Sequence, residues 1–144
     1  MIRNDLIKAD LKRDEGYRRH AYQDTEGKWT IGHGVLIDKS DPASGLTPFE
    51  ADWLLERRIE ERLLDMDRAV PWWRELPEPA ARGLANMVYQ LGWPRLSLFK
   101  NMLAALKKGR DFPQAAEAAL DSKWARQTPE RAKRIAHLFQ SCKE

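Results

Sequence analysis

The chain has 144 residues, 42% hydrophobic and 33% charged, with a net charge of +3 and one cysteine. That length allows a single domain with a real core rather than two independent ones, and no apolar run is long enough to span a bilayer. The lone Cys142 excludes an internal disulfide. The mild positive charge suits nucleic acid, an anionic membrane or an anionic wall polymer without choosing among them.

The opening residues Met1-Ile2-Arg3-Asn4-Asp5-Leu6 have no apolar core before charge resumes at Lys8 and Asp10. No signal peptide is therefore expected, and the protein is expected to stay in the cytoplasm where it is made. From Asp5 to Glu15 the spacing predicts a helix on which Ile7, Leu11 and Glu15 share one face. Asn4 is its expected N-cap and Gly16 its C′ residue. On this reading an apolar stripe enters the core and delivers the Glu15 carboxylate at the helix end.

Residues 17–22 and 28–31 predict two short strands. Between them Asp24-Thr25-Glu26-Gly27 has the residue preferences of a type I turn. Gly32-His33-Gly34 interrupts the second strand, Val35-Leu36-Ile37 continues as a third, and a polar loop follows from Asp38 to Gly45. Thr47-Pro48-Phe49-Glu50 is a helix start with N-cap, N1 proline and capping-box glutamate. That helix should run to about Ala69, ahead of Pro71, and span roughly 30–35 Å. Phe49, Trp53, Leu63, Met66 and Val70 mark one face, and charge covers the rest, which predicts a strut between two lobes.

Beyond Trp72-Trp73 the pattern is helical. One helix runs from Pro79 to Leu91 and stops at Gly92; another runs from Ser97 to Lys108 and stops at Gly109. An alanine-rich helix from Asp111 to about Leu120 is expected to pack closely. Thr128-Pro129 opens a last helix bearing Ile135, Leu138 and Phe139, with Cys142 in a frayed tail. The predicted fold class is α+β, mostly helical: a β lobe at about 16–46, a connecting helix at about 47–70, and a helical lobe at about 71–144 that includes the N-terminal helix 4–15.

Each candidate site residue has a plain explanation when taken singly. Glu15 precedes a helix-ending glycine, Asp24 caps its own turn, and Thr30 suits a strand. His20, His33 and His137 lack metal-ligand spacing, so no metal or cofactor is expected. Gly32-His33-Gly34 is no phosphate loop, because no helix and no Lys-Ser/Thr follow. Even so, an acid at a helix end opposite a turn aspartate is an arrangement that glycosidic hydrolysis can use. A general acid glutamate needs a raised pKa, and burial with the negative end of the helix dipole would push Glu15 that way.

The whole string goes further. Glu15-Gly16, Tyr22, Asp24, Gly27, Thr30, Ile31, Gly32 and Gly34 resemble the N-terminal signature of the T-even phage lysozymes, with matched spacing. Asn86-Met87-Val88-Tyr89-Gln90-Leu91-Gly92 resembles that family's central helix, and the run from Trp124 to Arg134 resembles its C-terminal motif. One departure stands out: members often carry His directly after the second glycine, whereas here His33 lies between the glycines and Val35 follows. This puts a structural ion pair in doubt, not the chemistry.

The resemblance implies a lysozyme-like two-lobed fold and hydrolysis of the β-1,4 bond between N-acetylmuramic acid and N-acetylglucosamine of bacterial peptidoglycan. Glu15 would protonate the leaving oxygen, Asp24 would position the attacking water, and the Thr30 hydroxyl would assist. Inversion is the outcome implied, which needs the carboxyls about 6.5–9.5 Å apart; a covalent or 1,6-anhydro-forming course is the alternative. Gln90 and Trp124 would line the opposite wall of a cleft between the lobes. Arg131 would pair with the glutamate, opposing the upward push on its pKa. The resemblance also implies a monomeric phage or prophage endolysin, held in the host cytoplasm until a holin admits it to the periplasmic wall.

Two other classes are weighed. A basic helical nucleic-acid-binding domain would use Arg131, Lys133 and Arg134 but leaves Glu15, Asp24 and the glycine spacing unexplained, so no nucleic acid is expected. A non-catalytic wall-binding relative is disfavoured because all three catalytic positions hold the required residue types. The last helix, with Ile135, Leu138 and Phe139 beside those cations, is also weighed as a weak anionic-membrane binder. The competing reading buries its apolar half in the bundle.

Overall fold

The computed structural model describes residues 3–108 and 110–143. Among them are eight α-helices, a 3-10 turn and one three-stranded antiparallel sheet, an α+β fold in which helix predominates. The chain divides into two compact units, Met1–Trp53 and Leu54–Glu144. No helix among the described residues is long and apolar enough to cross a membrane.

The first unit opens with α1 (Asn4–Glu15). Its N-cap is Arg3, not Asn4, and the Arg3 guanidinium reaches forward to the Asp5 carboxylate. The expected entry of its apolar stripe into a core is not found: α1 buries no residue, and Leu6, Ile7 and Leu11 are 53%, 42% and 50% exposed. Periodicity reveals that a helix has an apolar face, not what covers it.

Strands β1 (Arg18–Gln23), β2 (Trp29–Gly32) and β3 (Val35–Leu36) follow in the order β1-β2-β3. The first register pairs Tyr22 with Thr30 and Gln23 with Trp29, with an irregularity between Arg18 and Tyr22; the second pairs Thr30 with Leu36 and Ile31 with Val35. The predicted turn is present, closed by the Gly27 amide donating to the Asp24 carbonyl at 2.9 Å. Thr30, on the central strand, is the one buried residue among those described in this unit.

The polar loop after β3 is a clamp. Asp38 accepts from the backbone amides of Trp29 at 3.0 Å and Ser40 at 2.9 Å, and from the Ser40 hydroxyl at 2.5 Å. Lys28 Nζ meets the Asp41 carboxylate at 2.6 Å. Thus a loop that reads as merely polar fixes the start of β2 from the side opposite the Asp24 turn.

Helix α2 (Pro48–Ala69) starts with the predicted capping box: Glu50 N–H donates to Thr47 Oγ1 at 3.1 Å and Thr47 N–H to Glu50 Oε1 at 3.0 Å. Only Met66 of this helix is buried. Phe49 and Trp53, expected on the same inward face, are 79% and 52% exposed, because that face reaches a core only near its far end.

In the second unit, α2 passes into a 3-10 turn (Pro71–Glu75), α3 (Glu78–Leu91), α4 (Trp93–Leu96), α5 (Lys100–Lys107), α6 (Phe112–Leu120), α7 (Lys123–Gln127) and α8 (Pro129–Gln140). Asp67 ties the turn to α2, accepting from Trp73 Nε1 at 2.9 Å and from Arg74 through Nε at 2.7 Å and Nη2 at 3.0 Å. The core holds Leu84, Met87, Leu106, Phe112, Ile135 and Phe139, each no more than 2% exposed. Helices α3 and α8 meet so closely that a Cβ at Gly83 would lie 2.9 Å from the Phe139 ring. A glycine inside a helix, normally unfavourable, is what that approach requires. Ala115, Ala116 and Ala119 of α6 are buried and Ala118 partly so, and the helix packs against α5 and α8 as expected.

Two expectations about helix ends change, at Ser97 and Cys142. Ser97 does not start a helix: Trp93-Pro94 opens the short α4, Ser97 ends it with its hydroxyl donating to the Pro94 carbonyl at 2.7 Å, and α5 begins at Lys100, leaving Leu98 72% exposed. Gly109, expected to end α5, lies outside the described residues, as do Met1 and Ile2. Thr128-Pro129 opens α8 as expected, with Thr128 at the N-cap position, and the Thr128 hydroxyl donates back to the Trp124 carbonyl at 3.0 Å. Cys142 is not in a frayed tail: it is buried, and its thiol meets the Leu138 carbonyl at 3.4 Å.

Candidate active site

Three of the predicted site residues belong to the first unit. Glu15 is the last residue of α1, and the chain turns there because Gly16 takes φ 70°, with its amide donating to the Lys12 carbonyl at 3.0 Å. The expected burial is absent, for Glu15 is exposed. Its carboxylate instead rests on the β2–β3 turn: a Cβ added at Gly34 would lie 2.6 Å from Oε2 and 2.8 Å from Cδ. Gly34 also holds φ 74°, so both the space and the backbone demand glycine. Within this unit, among the described residues, no side-chain or backbone donor meets the Glu15 carboxylate.

Asp24 is held by the turn it begins. Its Oδ1 accepts from the Glu26 amide at 2.8 Å and from the Lys28 amide at 2.9 Å. This is the plain turn-capping role, and it also fixes the carboxylate's direction and leaves Oδ2 with capacity to accept. Thr30 sits across the pair from Tyr22, and its hydroxyl donates to the Lys28 carbonyl at 3.2 Å. An oxygen that donates there retains lone pairs for another donor. Two hairpin turns thus organise the unit, with Glu15 against one and Asp24 within the other.

The other three belong to the helical unit. Trp124 Nε1–H, buried on α7, donates to Gln90 Oε1 on α3 at 2.9 Å. Phe99 stands edge-on to the Trp124 ring with centroids 6.0 Å apart. Trp124 also walls a cavity of about 360 Å³ with Phe99, Met102, Lys100, Ser122 and Gln127; neither Gln90 nor Arg131 lines it. Arg131, on the first turn of α8, donates from Nε to Asn86 Oδ1 at 2.8 Å and from Nη2 to the Asn86 carbonyl at 3.4 Å. The two stretches that resemble the family's central helix and C-terminal motif are therefore bonded to each other through two residue pairs, Gln90–Trp124 and Asn86–Arg131.

Sequence reasoning missed three contributors. Asp38 was part of a loop, although an acid two residues before Ser40 is a signal for a side chain that folds back on its own backbone. The Ser40 hydroxyl, with the Trp29 and Ser40 amides, holds its carboxyl down at about 2. Asn86 lay inside a matched motif without a role. His33 looked like a departure with no function, yet its Nδ1 lies 2.6 Å from the Gly16 carbonyl oxygen.

No group of side chains suited to hold a metal ion is present among the described residues. Residues on the last helix expected to compete for a membrane, Ile135 and Phe139, are in the bundle core, and Leu138 is half-buried.

Comparison with known proteins is in line with this arrangement. Residues 12–139 match the profile of the family described as phage lysozyme. The chain is 30% identical to a probable T4-type lysozyme 2 of Dictyostelium discoideum, with 94% of each chain covered. It is 33% identical to the pre-baseplate central spike protein Gp5 of Enterobacteria phage T4, over 90% of this chain but 26% of that protein's length. It is 31% identical to the peptidoglycan hydrolase gp36 of Pseudomonas phage phiKMV, over 96% of this chain and 16% of that protein. With a match running from within α1 to the end of α8, the chain belongs to the phage lysozyme family of hydrolytic enzymes.

Proposed function

We propose that the chain hydrolyses the β-1,4 bond between N-acetylmuramic acid and N-acetylglucosamine in bacterial peptidoglycan. Glu15 protonates the leaving glycosidic oxygen. Asp24 holds the attacking water on Oδ2, and the Thr30 hydroxyl accepts from or orients that water. Gln90, Trp124 and Arg131 contribute to substrate binding. The observation that carries this reading is the contrast between two carboxylates of one small unit. Asp24 is fixed in direction by two amides on one oxygen, whereas Glu15 meets no donor there and is open to act on substrate. The family match and the name of the phiKMV relative support peptidoglycan as substrate.

Inversion by single displacement is the expected course, with water added on the face opposite the leaving group. Digestion of purified peptidoglycan, followed by mass analysis of the muropeptides, tests the proposal. Reducing N-acetylmuramic ends support it; 1,6-anhydro ends would mean intramolecular transfer instead, and intact glycan with cut peptides would overturn it. Glu15→Gln should lower turnover by about 10²–10⁴-fold, the usual contribution of a general acid, with the fold intact.

The biological setting we infer is an endolysin that acts as a monomer, waits in the host cytoplasm and reaches the wall through a holin. A second setting is favoured by one observation. The matched region forms only 26% and 16% of two phage proteins, so such a unit also occurs inside much larger phage chains. Immunodetection decides: protein free in infected cells before lysis supports the first setting, and protein confined to purified virions supports the second.

A further inference from the structure

The turn between β2 and β3 grips the end of α1 in two ways, and only one of them is explained by glycine. Gly34 leaves room for the Glu15 carboxylate. The other contact is made by His33, which stands between Gly32 at φ 67° and Gly34 at φ 74°. Its Nδ1 lies 2.6 Å from the carbonyl oxygen of Gly16, the residue directly after Glu15. That carbonyl lies just past the helix end, where no intrahelical amide can reach it. The Tyr17 ring packs against the imidazole, with centroids 5.5 Å apart and planes at 47°. Backbone, carboxylate and ring therefore meet on one three-residue turn.

We propose that His33 is a positioning residue for the acid: it bonds the backbone immediately after Glu15 to the turn on which the Glu15 carboxylate rests. The inference depends on Glu15 being the general acid. A carbonyl oxygen only accepts, so the imidazole must carry its proton on Nδ1. Both the Nδ1–H neutral tautomer and the doubly protonated ring satisfy this. What the contact supplies is direction. A carboxylate on an exposed helix end would otherwise swing with the fraying last turn, and misplacement of a reacting group by about 1 Å can cost 10²-fold in rate.

The test compares His33→Phe, which keeps a ring for Tyr17 but has no donor, with His33→Asn, whose side-chain amide carries an N–H at the same distance along the chain as Nδ1. On purified peptidoglycan, His33→Phe should lower kcat by about ten- to a hundredfold with KM within about twofold, and His33→Asn should restore most of the loss. Unchanged kcat in His33→Phe, a loss confined to KM, or an asparagine variant no better than phenylalanine would each overturn the inference. Nitrogen-15 shifts of the wild-type ring supply a measurement that no folding defect can blur. A proton on Nδ1 of the neutral ring supports the bond, and the Nε2–H tautomer would overturn it. Glu15→Gln run in parallel separates the two claims. If it is inactive while His33→Phe is normal, only the positioning role falls; if it stays active, the acid assignment falls and the positioning role with it.

Discussion

The two units are held by different physics. In the first, among the described residues, only Thr30 is buried; its shape is set by Asp24 on two amides, Asp38 on two amides and a hydroxyl, Lys28 on Asp41 and His33 on the Gly16 carbonyl. In the second, apolar side chains of α3, α5, α6 and α8 interlock, and polar bonds such as Gln90–Trp124 decorate that core. The lesson is one of placement. Directional bonds aim side chains well but contribute little net stability each, whereas close-packed apolar area contributes stability without aiming anything. The residues proposed for chemistry sit where direction matters.

The sharpest way to break the comparison is at Phe139. Phe139→Ala should cost about 3–5 kcal/mol of stability, as aromatic deletions from packed cores do. Chemical denaturation of the helical unit would register it, while turnover per folded molecule stays near normal. A variant that lost turnover without losing stability would contradict the division.

Gly34→Ala is the opposite probe. The new Cβ meets the Glu15 carboxylate and a φ that side chains avoid, so turnover should fall by about ten- to a hundredfold with little change in the midpoint of denaturation. Asp38→Ala should act in the same direction more weakly. Hydrogen exchange at the Trp29 and Ser40 amides should accelerate, turnover should drop, and protection in α3 and α8 should remain.

Acid gives the gentlest test. Asp38 falls from the ordinary 3.8 to about 2, chiefly through Ser40 and the Trp29 amide. Asp41 is lowered by Lys28, Glu50 by the Thr47 amide and Asp5 by Arg3, all in the first unit; in the second, Asp67 is lowered by Arg74. A carboxyl whose folded pKa lies below its unfolded value stabilises fully above the unfolded value and loses that contribution as pH falls through the folded one. Between about pH 4 and pH 2, amide protection in the first unit should therefore fade before that of α3, α6 and α8. The reverse order would show that hydrogen bonds to carboxylates are not what holds the sheet.

Local chemistry was the legible part of the sequence. The Thr47–Glu50 capping box, the Asp24–Gly27 turn, the end of α3 at Gly92 and the dense packing of the α6 alanines are all decided within a few residues, and each appears in the structure. What failed to show depends on residues far apart. An apolar stripe on α1 does not say whether anything covers it. The five-residue α7 is too short to print a period, though Ser122 caps it by accepting from Ala125 N–H at 3.1 Å. Ser97 resembles a helix start until Trp93-Pro94 is seen to open a turn of its own. In the site, residue identities could be matched to a signature, but the partners of Arg131 and His33 lie 45 and 17 residues away, beyond any local pattern.

The burial of Cys142 has a practical consequence. The chain has one thiol, and it is 9% exposed against the last turn of α8, its Sγ on the Leu138 carbonyl. A thiol-reactive dye should then label the protein slowly while that turn is closed and faster when it opens. The rate of labelling is a built-in clock for opening of the α8 terminus, readable by mass on the unaltered protein. Run alongside turnover, it would time the departure of the last helix against the loss of activity.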